Sequence, residues 1–278
     1  VGERGVGAGH GGEREQRHES KAAHVRILTA RRAVSQTCPD RTARMASSEG
    51  PSVTPLRFGS VQLPLTHPRA AEEVGVLLGF AIHHPDGVIL VDTGSRAGHP
   101  IIDEIYAPDV VGVIDALNSR SIDERDVVAI VNTHLHFDHC GQNDSLPGVP
   151  VWVRPEEVEA ARTEGYTVPE WAAIPPDRLR LAADDEAIAS GVRLVATPGH
   201  TPGHQSVVIT GRDGRHHVVA GQCCHSRREW VAGTPEATDM HDPGLVSAGR
   251  DSLRRLRALN PVAVFFSHDP DAYLTPNP

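Results

Sequence analysis

The chain is short of several residue types, and each shortage excludes something. It has a single lysine, Lys21, against 26 arginines, a skew we attribute to the base composition of its gene rather than to function. No stretch approaches the ~20 uninterrupted apolar residues of a membrane span, so no membrane partner is expected. There are four cysteines in 278 residues: Cys38, Cys140, Cys223 and Cys224. None has C-x-x-C spacing and the adjacent pair cannot easily bridge, which argues against a disulfide framework and for reduced thiols in a cytoplasm. The N-terminus has no continuous apolar core of a secretory signal. Apolar residues make up only 39% of the chain. That is low for a chain folded throughout, so part of it is expected to lie outside the fold. A net charge of −9 speaks against a general nucleic-acid partner, which would need a basic face.

The length fits one large α/β domain or two small ones. Residues 1–50 are rich in Gly, Arg, Glu, Ser and His and carry no strand or helix period. They are expected to be a disordered extension, leaving a single domain over residues 51–278. Residues 1–44 carry a charge of +4, so the remainder carries −13. Met45, followed by Ala-Ser-Ser-Glu-Gly, offers a natural translation start. The alternative is a basic arm that binds something anionic.

From residue 55 the pattern is ordered. Leu56 to Leu65 alternates as a strand. Val74 to Ile82 and Val88 to Val91 are apolar runs around a Pro85-Asp86-Gly87 turn signal, which predicts a hairpin ending at Asp92-Thr93-Gly94. Val110 to Leu117 reads as a helix with Asp109 as its N-cap. Val127 to Val131 and Val149 to Val153 read as strands, and Glu156 to Arg162 as a helix. Val192 to Ala196 reads as a strand ending at Thr197-Pro198-Gly199. Val207 to Ile209 and Val218 to Ala220 form a second hairpin. Ser247 to Leu259 reads as an Arg-rich amphipathic helix, and Val262 to Phe266 as a last strand. Interleaved strands and helices with early hairpins predict two sheets covered by helices, not a purely parallel sheet.

What the chain does have is 17 histidines. The densest cluster is His134-Leu135-His136-Phe137-Asp138-His139, directly after an apolar strand. In extended backbone residues two apart face the same way, so His134 and His136 can reach one ion. Asp138 and His139 follow at the next turn. Three imidazoles and a carboxylate suit zinc, with iron, cobalt or manganese as alternatives. His200 and His204 lie in Thr197-Pro198-Gly199-His200-Thr201-Pro202-Gly203-His204, a rigid Pro/Gly turn after a strand. We read His200 as a ligand and His204 as a supporting residue. His268, in Ser267-His268-Asp269 after the final strand, completes the set.

These motifs resemble the metallo-β-lactamase-fold superfamily, and within it the N-acyl homoserine lactone lactonases, over roughly residues 55–270. The resemblance implies an α/β (α+β) fold, an αββα sandwich of two mixed sheets flanked by helices with a two-metal site at the sheet edge. It implies His134, His136 and His200 as ligands of one metal and Asp138, His139 and His268 of the other, with Asp92 supporting the site. The bridging carboxylate of the family corresponds here to Gln222, in Ala220-Gly221-Gln222-Cys223-Cys224-His225, and the family's tyrosine three residues on corresponds to His225. A neutral amide bridges two dications poorly, so one firmly held metal and a weaker second are expected.

The implied reaction is hydrolysis of an ester-like carbonyl, in first place the lactone ring of N-acyl homoserine lactones, by hydroxide formed at the metal. Asp138 would orient the nucleophile and His225 protonate the leaving group. Cys140, Cys223 and Cys224 are expected to pack rather than catalyse. Trp152, Trp171, Trp230 and Tyr166 are candidate walls of a substrate channel. The competing readings are a glyoxalase II-like thioesterase or other small-ester hydrolase, and, from another class, a binding module impaired by Gln222. A small-molecule lactone or ester is the expected partner, nucleic acid is not, and a homodimer is compatible with the sequence.

Overall fold

The computed structural model describes residues 52–67, 69–235 and 243–274. The expectations for residues 1–50, with Cys38 and the Met45 start, lie outside these residues.

The first sheet opens with an antiparallel meander of β1 (Ser52–Gln62), β2 (Val74–His84) and β3 (Gly87–Val91). The expected hairpin is β2–β3, closed over Pro85 and Asp86. After α1 (Pro100–Tyr106), β4 (Asp109–Val110) adds to the outer edge of β1, and α2 (Val113–Asn118) follows. The chain then crosses to β5 (Val127–Val131), parallel to β3. Past α3 (Phe137–Cys140) come β6 (Val151–Val153), α4 (Pro155–Ala160), α5 (Pro169–Ala172) and β7 (Leu179–Leu181). Both strands join in parallel, giving the order β4-β1-β2-β3-β5-β6-β7.

The second sheet is a meander of β8 (Glu186–Ala189), β9 (Val192–Ala196), β10 (Gln205–Thr210) and β11 (His216–Gly221). After α6 (Arg227–Ala232) and α7 (Pro243–Ala258), β12 (Ala263–Phe266) pairs in parallel with β11, and β13 (Tyr273–Leu274) closes the edge. Both sheets are mixed, as expected.

Period-two alternation sends side chains to opposite faces of each strand. In β2, Val76, Leu78, Phe80 and Ile82 enter the core between the sheets, while Leu77 and Ala81 meet α2 on the outer face. In β12, Ala263 and Phe265 point inward, while Val264 and Phe266 pack with Trp230 of α6 and Leu253 and Leu256 of α7. Phe80 and Phe265 meet edge to face across the sheets at 5.6 Å, a pairing worth ~0.5–1.5 kcal/mol beyond the area buried. The layers are therefore α, β, β, α. No helix among the described residues is long and apolar enough to cross a membrane.

One expectation fails at Asp109. It is strand rather than N-cap, and α2 begins at Val113 with Gly112 before it. The cause lies on β1. Gly59 adopts φ +128, and a Cβ there would sit 1.9 Å from the Asp109 carbonyl oxygen. Without that Cβ, residues 109–110 are drawn onto the sheet before the chain can coil.

The functional loops leave the C-terminal ends of β3, β5, β9, β11 and β12. Parallel pairing puts the ends of β3 and β5 together, and β9, β11 and β12 run the same way in the other sheet. Two cross-sheet bonds lock these edges: Gln205 N–H to the Thr133 carbonyl at 2.9 Å, and Leu78 N–H to the Ser267 carbonyl at 3.0 Å.

Candidate metal centre

Asp92 ends β3 in left-handed backbone, φ +60. Aspartate is among the few side chains that tolerate this region. The turn aims its buried carboxylate at the next loop. It accepts the Thr133 N–H at 2.7 Å, the Thr133 hydroxyl at 2.9 Å and His139 Nδ1 at 2.8 Å. Thr133 has one hydroxyl proton and gives it to Asp92, so His134 Nδ1, 3.1 Å from the same oxygen, is the donor there. His268 Nδ1 donates to the Val76 carbonyl at 2.8 Å. In neutral His134, His139 and His268 the lone pair is thereby fixed on Nε2.

Those lone pairs converge in two groups. His134 Nε2 and His200 Nε2 each stand 3.1 Å from His136 Nδ1. His139 Nε2 and His268 Nε2 face one another at 3.2 Å, with Asp138 Oδ2 at 3.5 and 3.7 Å from them. Within each group the donor atoms lie within 4.8 Å of one another. Two lone pairs aimed at each other repel unless a cation stands between them. Three nitrogens in one group, and two nitrogens with a carboxylate oxygen in the other, form a donor set that fits zinc-like ions.

The electrostatics agree. Burial, helped by the neighbouring rings, holds His134 and His200 well below the ordinary imidazole value, as neutral donors. Burial also takes His268 down to about 3. Burial alone would raise Asp138, but His139, His268 and His136 outweigh it and keep it ionised. At His139 burial is outweighed by Asp138 and Asp92, which raise its pKa and favour positive charge at that point.

Both nitrogens of His204 are already engaged. Nδ1 bonds to Thr197, and Nε2 accepts the Gln222 backbone N–H at 3.0 Å. His204 therefore holds the Gln222 loop and offers no donor to either group. The Gln222 side chain is buried beside His139, and among the described residues its Oε1 meets no hydrogen-bond donor. Its amide nitrogen lies 3.0 Å from His225 Nε2. His225 in turn is backed by buried Glu229, which accepts the His225 N–H at 3.1 Å. An orphaned carbonyl oxygen pointing toward the second group suits a weak extra donor.

A cavity of about 810 Å³ opens over both groups. His136, Asp138, His200, Gln222, His225 and His268 form its polar floor. Ile101 and Ile105 of α1, with Tyr106 and Phe137, form an apolar wall. Of the four aromatic wall candidates only Tyr166 lines it. Trp171 is buried behind the wall against Ile102 and Val168, Trp152 packs on the inter-sheet core, and Trp230 lies under α7. Strand and helix faces needing apolar cover claim these three rings. Cys140, Cys223 and Cys224 are buried free thiols, and burial pushes Cys223 up to about 12.

Two features went unread in the sequence. Helix α1 carries the apolar wall. Glu157 of α4 is fully buried beneath the three-histidine group, accepting hydrogen bonds from Leu135 N–H and the Thr201 hydroxyl.

The αββα layers and the paired histidine–aspartate groups at one sheet edge define a class of metal-dependent hydrolases. A profile of the metallo-beta-lactamase superfamily matches residues 78–268, and the chain belongs to that superfamily. It is 27% identical to N-acyl homoserine lactonase AiiA of Bacillus thuringiensis subsp. kurstaki over 202 residues, spanning 68% of this chain and 80% of that protein. It is 26% identical to N-acyl homoserine lactonase AttM of Agrobacterium fabrum over 227 residues, spanning 70% and 82%. A solved N-acyl homoserine lactone hydrolase, with N-hexanoyl-L-homoserine at its catalytic metal center, superposes with a TM-score of 0.67. That pair is 22% identical over 81% of this chain and 95% of the other.

Proposed function

We propose that the chain is a zinc-dependent lactonase that opens the ring of N-acyl homoserine lactones. The observation that carries this reading is the pair of facing donor groups on the floor of a cavity with an apolar wall. The similarity to AiiA and AttM supports the substrate class. His134, His136 and His200 would hold one ion, and Asp138, His139 and His268 the other, with Gln222 Oε1 a weak donor beside the second. When bound, the ions supply Lewis acidity to the carbonyl and lower the pKa of water toward ~7.

The remaining chemistry belongs to the side chains. The ionised Asp138 accepts a hydrogen bond from the attacking water and orients it toward the carbonyl carbon. The ring C–O bond then breaks, and the departing oxygen takes a proton. We assign that proton to His225, which lines the cavity and passes from imidazolium to neutral imidazole as it donates. The apolar wall from α1 receives the acyl chain and excludes water from it. No covalent nucleophile is required, in keeping with three buried, protonated thiols. Those reduced thiols also support a cytoplasmic location.

A substrate panel tests this reading. Base consumption at constant pH is followed with N-hexanoyl and N-decanoyl homoserine lactones, S-lactoylglutathione and a simple aryl ester. Lactone turnover well above the others is expected. Turnover of S-lactoylglutathione without lactones would replace the reading with a thioesterase.

A further inference from the structure

Glu157 is fully buried, yet among the described residues it forms no ion pair. Its oxygens take only neutral donors. Oε1 accepts the Leu135 N–H at 2.8 Å and the Tyr166 hydroxyl, and Oε2 accepts the Thr201 hydroxyl at 2.7 Å. Each bond lands beside a residue of the three-histidine group. Leu135 lies between His134 and His136, and Thr201 follows His200. The Tyr166 ring lies against His136, centroids 4.8 Å apart. The approach is built in: a Cβ on Gly203 would stand 2.1 Å from Glu157 N, so glycine there lets α4 press against the His200 loop.

Hydrogen bonds satisfy the carboxylate oxygens but leave a buried negative charge, which is costly unless a positive charge is near. Among the described residues no cation pairs with it, while two histidine-bearing loops, and a tyrosine packed on His136, are tied to it. We propose that Glu157 is a positioning residue that fixes the three-histidine group and balances the charge of the ion held there. This rests on the metal-dependent reading above. Burial, and after it the same carboxylate, raise the Tyr166 phenol, so Tyr166 stays a donor to Glu157.

The test separates charge from packing. Glu157→Gln keeps the size of the side chain. Its Oε1 can retain Leu135 and Tyr166, and its amide can donate to the Thr201 hydroxyl. The full-length chain and this variant are compared by competition for zinc with a chromophoric chelator, and by thermal melts with and without zinc. The metal-free variant is expected to melt no lower than the metal-free parent. One zinc equivalent should bind at least about tenfold more weakly, the scale seen when partners of metal ligands are removed, and the zinc-induced rise in Tm should shrink. Thr201→Val, which cuts one link but keeps the charge, should weaken zinc less. Unchanged zinc affinity in Glu157→Gln, or an equal fall in Tm with and without zinc, overturns the inference. Should that variant fail to fold, unchanged affinity in Thr201→Val overturns it. A parent chain that binds no zinc overturns both this inference and the lactonase reading, whereas a parent that binds zinc and a variant that binds it equally well overturns only this one.

Discussion

Asp92 Oδ2 and His139 Nδ1 lie 2.8 Å apart, both 1% exposed, and this one contact joins the end of β3 to the second donor group. The carboxylate fixes the tautomer of His139 and adds negative charge behind it. Asp92→Asn should keep the fold, because asparagine also tolerates left-handed backbone. Zinc affinity at the group of Asp138, His139 and His268 should fall about 10–100-fold. Equilibrium dialysis against graded free zinc measures this, and an unchanged isotherm would remove Asp92 from the site.

At Gln222, a neutral amide oxygen lies beside His139 where superfamily resemblance implied a carboxylate. Gln222→Asp should therefore raise retention of the second zinc equivalent after dialysis. Bulk metal analysis of parent and variant reads the outcome directly. Equal metal content in both would sink the explanation of unequal loading.

Gly203 leaves no room for a methyl group, because the contacts its Cβ would make are to the Glu157 backbone at 2.1 and 2.5 Å. Backbone cannot swing aside as a flexible side chain can. Gly203→Ala should cost ~1–3 kcal/mol in urea unfolding, the usual range for overpacking. A loss below a few tenths would mean that α4 sits farther from the His200 loop.

The cysteines give a chemical check. Burial raises Cys140 and Cys224 and pushes Cys223 up to about 12, so near pH 8 these three remain thiols. Iodoacetamide should leave them unmodified in the native chain and label them after denaturation, with peptide mass spectrometry as the readout. Cys223→Ala should retain lactone turnover within about threefold, since no step uses the thiol.

Much of this arrangement was legible from residue pattern. Val127–Val131 and Val192–Ala196 are strands with the expected bounds because each is a short apolar run cut off sharply by polar loop residues. The histidine motifs declared themselves by spacing. Helix α1 did not, because its seven residues make less than two turns, too few to establish a helical period in the sequence. Glu157 was hidden for another reason. Glu156-Glu157 reads as two solvated acids in a first helical turn, and only docking against the Gly203 loop buries the second of them. The tryptophans misled because aromatic bulk serves a core as readily as a channel. Asp109 misled because the space made by Gly59 lies 50 residues away in the sequence.

The most direct test joins metal content to turnover in one sample. The purified chain is stripped with a chelator, reloaded with measured increments of zinc, and assayed on N-hexanoyl homoserine lactone after each addition. Lactone opening should be lost on stripping, return with bound zinc, and saturate when the two donor groups are filled. A chain that binds zinc stoichiometrically yet opens no lactone at any loading would contradict the enzyme reading and leave a metal-binding module in its place.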